Sequence, residues 1–338
     1  MIRVGLTIAG LLGCTLMSPH VVGARQERAG QREADRPDRA TLGVLRRDGL
    51  LVPFASVNGT NWTMYWPTYL GKDDVPASLA RIPRSWWGGR QPNNWRLWKP
   101  SGESQPIEVE SPTTVHVHCA DRLAFHTNYK STEPLPAPAE PFPKDGLVIG
   151  GNIAVEPIEL VAPDSPERAT MATALLKDFD RAEEQTLRAV RRTSEWRHPF
   201  EEEVRRKFPV RIESWYRTPL DDSGWNLSFI EAVRAYPPGP DDEGCGLETL
   251  FSGWVYSRGP FVQRADLIAR TTYCDRVGAL YMFPFARIRA RNRSYWVYQM
   301  SGWEQEWYTV AEVSRREVRY MVEFPAGSYL SCERLRGR

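Results

Sequence analysis

From Pro209 onward the chain is a succession of short apolar runs separated by turn-forming residues. Eight of them, at 210–217, 227–235, 249–256, 266–273, 279–288, 295–300, 307–313 and 317–322, are rich in Val, Ile, Tyr, Phe, Trp and Thr. Side chains alternate across a strand with a period of two, and β-branched and aromatic residues fit a pleated, half-buried surface, so runs of this length read as strands. So many strands in series, with loop breaks between them, call for a sheet that curls or closes. The expected fold class is mainly β within an α+β arrangement: antiparallel sheets, a curled or barrel-like C-terminal region and one long amphipathic helix.

That helix is written between 166 and 193. Ser165 offers an N-cap and Pro166 suits the first helical position, where its missing N–H costs nothing. Ala172, Leu176, Phe179, Ala182, Leu187 and Val190 then recur at helical spacing. A shorter helix is expected over Phe200–Lys207. Upstream, Leu50–Val57 and Asn61–Trp66 flank Asn58-Gly59, a dipeptide that tolerates the positive φ of a hairpin turn. Further strands are expected at Ile107–Glu110, Thr113–His118 and Leu123–Thr127. Between 131 and 146 the prolines 134, 136, 138, 141 and 143 enforce an extended connector.

The N-terminus reads as an export signal. Arg3 precedes an apolar stretch from Val4 to Met17, and small residues lead to Ala24. The stretch is shorter than the roughly 20 residues needed to span a bilayer, and no later segment approaches that length. Cleavage after Ala24 would release an exported bacterial protein, periplasmic or extracellular. Alternatively, Leu11-Leu12-Gly13-Cys14 resembles a lipoprotein signal that would leave the chain anchored through Cys14. The resulting organisation is a signal peptide at 1–24, a charged disordered leader at 25–41, a small Trp-rich β domain at 42–130, a Pro-rich linker at 131–146 and a β-rich domain at 147–338.

Export makes the remaining cysteines, Cys119, Cys245, Cys274 and Cys332, candidates for two disulfides. Three pairings are open. Cys245 with Cys274 is preferred because the two flank adjacent strand-like runs, which leaves Cys119 with Cys332. The formal net charge of only +2 provides no field to attract nucleic acid, and no basic stripe or RNA-binding motif is present.

Two groups of residues carry chemical potential. His116, His118 and His126 fall within eleven positions. With a turn at Ala120-Asp121-Arg122, His116 would face His126 across a strand pair and the three imidazoles would converge as a zinc or copper site. A solvated sheet face that happens to carry histidine gives the same sequence. The second group is Trp86, Trp87, Trp95 and Trp98, interleaved with Asn and Arg. Exposed together, they would stack on a glycan, a cell-envelope polymer or a protein partner. Buried, they would fill the core of a small β domain. Glu231 and Asp275 lie in or beside strands and are a weaker acid/base candidate. Nucleophile-elbow, zincin, phosphate-loop and dinucleotide motifs are all missing. The sequence therefore supports a non-catalytic binding protein using an aromatic surface, or alternatively a metal-binding protein using the histidines.

Overall fold

The alternating runs become three antiparallel sheets in the computed structural model, which describes residues 38–338 apart from 118–119, 138–141, 194–201, 221–222, 239–245, 260, 303–304 and 329–338. The signal at 1–24, Cys14, Cys119, Cys245 and Cys332 lie outside the described residues.

The first sheet contains β1 (Arg39–Arg46), β2 (Leu50–Asn58), β3 (Asn61–Thr63), β4 (Trp95–Trp98), β5 (Ser104–Ile107), β6 (Val109–Val117), β7 (Ala120–Thr127) and β8 (Lys144–Gly151). Its order is β5-β4-β8-β1-β2-β7-β6, with β3 pairing β2 through the expected hairpin at Asn58 and Asn61. β9 (Ala154–Glu156) belongs to the third sheet. The second sheet follows the chain: β10 (Glu159–Leu160), β11 (Arg211–Pro219), β12 (Asn226–Ala235), β13 (Leu247–Arg258) and β14 (Phe261–Tyr273). The third runs β18-β17-β16-β15-β9, from β15 (Leu280–Ala290), β16 (Arg293–Gly302), β17 (Gln305–Val313) and β18 (Val318–Ser328). The chain is thus mainly antiparallel β with a curled half-barrel sheet, as expected.

Helix α1 (Glu167–Thr193) starts where Ser165 and Pro166 place it, and Ser165 Oγ accepts the Glu167 N–H at 3.3 Å. Its stripe of Met171, Leu175, Phe179 and Ala182 is buried against Ile212, Trp215, Ile230 and Phe251 of the second sheet. The Arg168 guanidinium, itself buried, binds the carbonyls of Val161, Ala162, Ile212 and Glu213 and fixes the first turn to β11. Helix α2 (Glu202–Arg205) ends two residues before the expected Lys207.

The opposite face of the second sheet meets the third, where Phe229 and Trp254 pack on Met282, Trp296 and Tyr298. The other face of the third sheet, with Tyr295, Val297, Tyr308, Val310 and Phe324, joins the core of the first sheet. The layers therefore run helix, second sheet, third sheet, first sheet. A strand covered on both faces has no polar side to alternate with, which is why Tyr295-Trp296-Val297-Tyr298 is continuously apolar or aromatic.

Two expectations need correction. The leader was expected to extend to residue 41, but β1 begins at Arg39, and Thr41 is fully buried with its hydroxyl 3.4 Å from the Trp87 carbonyl. The partition into 42–130 and 147–338 also differs from the structure. β8 starts within the Pro-rich stretch and pairs with β1 and β4, while residues of β15–β18 complete the first sheet's core, so 38–338 clusters as a single unit. Prolines stiffen a connector, but they do not prevent the strand after it from returning to the sheet it left. Among the described residues, no helix is long and apolar enough to cross a membrane.

Candidate functional site

Toward the β14 and β18 edges, the second and third sheets part to leave a cleft of about 300 Å³. Its floor is apolar and buried, made by Phe229, Trp254, Met282 and Tyr298. Its rim is exposed: Ile268 on β14 is 72% accessible and Tyr320 on β18 is 52% accessible. That volume sits at the lower end of the range of small-ligand pockets.

Strand irregularities aim several of the lining groups. On β11, Ile212 pairs with Ala232 and Ser214 with Glu231, so Glu213 is an extra residue bulged out of the ladder. On β18, Val322 pairs with Val310 and Tyr320 with Ala311, which makes Met321 the extra residue and brings Tyr320 and Glu323 onto the same face. Gly253 permits β13 and β14 to approach closely, since a Cβ there would lie 2.0 Å from the Asp266 carbonyl oxygen.

Glu231 is the chemically unusual group of the cleft. It occupies the middle of β12, is 5% exposed, and accepts the Met282 N–H at 2.6 Å. Burial pushes its carboxyl up to about 7, against the opposing hydrogen bonds from Met282 and Ser214, and the nearby Glu213 charge adds to the rise. Glu213 behaves differently. Burial raises it, but Arg276 overcomes that with two hydrogen bonds of 2.8 and 2.9 Å and holds it below the usual carboxylate range. Arg276, at φ 56°, also binds Glu248 at 2.7 Å and the Tyr281 hydroxyl at 3.3 Å. The turn that bounds the cleft is thus fastened by one guanidinium, and Arg270 donates to the Gly278 carbonyl beside it. Asp275 accepts the Val277 N–H within this turn and is not among the cleft's lining residues, so it does not pair with Glu231 there.

Of the two roles open to the aromatic group, surface or core, the structure favours the core. Trp87 and Trp95 are 4% and 7% exposed, and Trp86 and Trp98 are partly buried against the same core. Trp66 meets Trp87 edge-on at 4.9 Å, and Trp87 stacks on Phe125 at 5.7 Å. They pack there beside aliphatic side chains such as Leu42, Val57, Leu97 and Ile149, each indole adding a large apolar volume to the same core.

The histidine group is also arranged differently. His118 lies outside the described residues. His116 pairs with Asp121, 3.0 Å from its carboxylate, because β7 begins at Ala120, earlier than the expected turn allows. His126 lies five residues further along β7, which is about 17 Å and the opposite face of the sheet. Among the described residues, no group of three potential ligands could hold a metal ion.

No protein-family model, curated protein or solved structure matches this chain.

Proposed function

We propose that this is an exported, non-catalytic binding protein, and that its binding site is the cleft between the second and third sheets rather than a tryptophan surface on the first. The observation that carries the reading is the cleft itself: an aromatic floor opening between two strand edges through exposed Ile268 and Tyr320. Solvent-exposed apolar side chains around a concave, apolar interior favour a small, largely apolar ligand, since burying such surface contributes about 25 cal/mol per Å². Binding fits the lining better than nucleophilic catalysis does. Ser252 lines the cleft, but no histidine, cysteine or lysine is among the described lining residues to activate it.

Export would also allow a Cys245–Cys274 bridge. Leu247, two residues after Cys245 in sequence, pairs with Tyr273, the residue before Cys274.

The test is titration with an apolar fluorophore, following emission from the probe and from Trp254 and Trp307. Saturable binding is expected. Ile268→Glu, at an exposed position that leaves the core intact, should weaken it severalfold. Failure of any apolar probe to bind, or equal binding by Ile268→Glu, would remove the cleft as the site.

A further inference from the structure

Charge is distributed unevenly around the cleft. Its acidic lining groups are Glu213, Glu231, Asp266 and Glu323, and its basic one is Arg270. Glu213 is neutralised by Arg276, and Arg270 is turned onto the Gly278 carbonyl. Against the single charge of Arg270 stand Asp266 and Glu323 at the exposed rim and Glu231 at depth. Between them stand the faces and edges of Phe229, Trp254, Tyr281, Tyr298, Trp307 and Tyr320. Aromatic rings attract cations through their quadrupoles, most strongly where water is excluded, and carboxylates do so directly.

Resting on the cleft reading, we propose that the ligand is an organic cation, an amphiphile whose ammonium head is taken between the aromatic rings and the Glu231 carboxylate while its apolar body fills the cleft. The rim acids would attract such a head, and the floor would receive it. A fatty carboxylate would meet the same three acids and be repelled.

Glu231 gives the proposal a second, independent signature. Its neighbours are Glu213, Ser214 and Tyr216 from β11, Ser252 across the ladder on β13 and the Met282 backbone from β15, and none of these is a cation. Empty, the carboxyl holds its proton to about pH 7. An arriving ammonium favours the ionised form, so binding below that pH expels the proton to solvent. The balance is one ammonium in and close to one proton out at pH 6, falling to none by pH 8.5.

The experiment is calorimetric titration of the full exported chain with decylamine, decanol and decanoate, which share a tail and differ in head. At pH 7.5 decylamine should bind about tenfold more tightly than decanol, with decanoate weakest. Repeating the titration at pH 6 in buffers of different ionisation enthalpy should show proton release for decylamine only. Glu231→Gln should bring decylamine to within about twofold of decanol and abolish the release. Asp266→Asn with Glu323→Gln, both at exposed positions, should weaken decylamine by a smaller factor without touching the proton signal. Equal affinity for decylamine and decanol, or a preference for decanoate, overturns the cation assignment while leaving the cleft standing. If none of the three binds, the cleft reading itself fails.

Discussion

Glu231→Gln should stabilise this protein, and by an amount that depends on pH. The wild-type carboxyl is 5% exposed and loses its proton near pH 7 instead of its ordinary 4.5. In the unfolded chain the same group ionises near 4.5, so between these values the folded state binds more protons. Stability from this group is therefore fully present below pH 4.5, falls as pH rises through the window, and is gone above about 7. At about 1.4 kcal/mol per pH unit, the folded state is about 3 kcal/mol worse off at pH 8 than at pH 4.5 on this account. Glutamine has nearly the same shape, and its amide oxygen can still accept the Met282 N–H, but it has no charge to bury. Urea denaturation of both proteins at pH 5 and pH 8 isolates the effect, since other titrating groups cancel in the difference. The variant should gain most of about 3 kcal/mol relative to wild type between the two pH values, at unchanged m-value. An equal difference at both values, or a relative loss at pH 8, would refute the account of Glu231 as a desolvated acid.

Three other substitutions test the frame around the cleft. Phe179→Ala removes a fully buried ring 4.9 Å from Phe251 and should cost about 3–5 kcal/mol in urea unfolding, because the helix and second sheet cannot close the gap. Lys144→Met strands the buried Glu306 carboxylate, whose partner ammonium lies 2.6 Å away. It should cost about 3–5 kcal/mol, much of it recovered by adding Glu306→Gln in a double-mutant cycle. Trp87→Ala should lower stability by about 3–5 kcal/mol while leaving apolar-probe affinity unchanged. Unaltered stability with lost binding would instead return the tryptophans to the surface role.

The sequence wrote its elements more clearly than their partners. Every strand-like run after Pro209 overlaps a strand from β11 to β18, and Ser165-Pro166 marked the start of α1, because periodicity and capping are local properties. Sheet membership is not local. Arg39–Thr41 looked like leader because Arg39 is charged and Ala40 and Thr41 are small; β2 and β8 on either side make the segment a strand. The histidine geometry failed on a turn placed too late, and moving that turn changes which residues face each other. Bulges at Glu213, Phe285 and Met321 likewise shift which side chains share a face, and no hydrophobic pattern announces them. One signal for the cleft was available. In Leu227-Ser228-Phe229-Ile230-Glu231-Ala232-Val233, an acid interrupts an otherwise buried run, which marks a carboxyl destined for the interior.

How the protein treats its other buried charges gives that carboxyl its meaning. Lys144 and Glu306 form a pair 5% and 0% exposed between the first and third sheets, and the Tyr308 hydroxyl donates to the same carboxylate. Burial lowers the Lys144 ammonium, and Glu306 opposes that fall. Beneath α1, Glu183 lies 2.5 Å from Arg234, which also reaches Asp180 at 2.7 Å. In both places the acid meets its cation across two packed elements, so the desolvation cost is offset within the fold. Among the described residues, Glu231 forms no ion pair, although it is nearly as deeply buried, and the space beside it is a cleft rather than a packed side chain. An unpaired acid of this kind is costly to a folding chain, and costs of this type persist most readily where a ligand removes them. The cation that the cleft would admit supplies the charge that Glu231 lacks among the described residues.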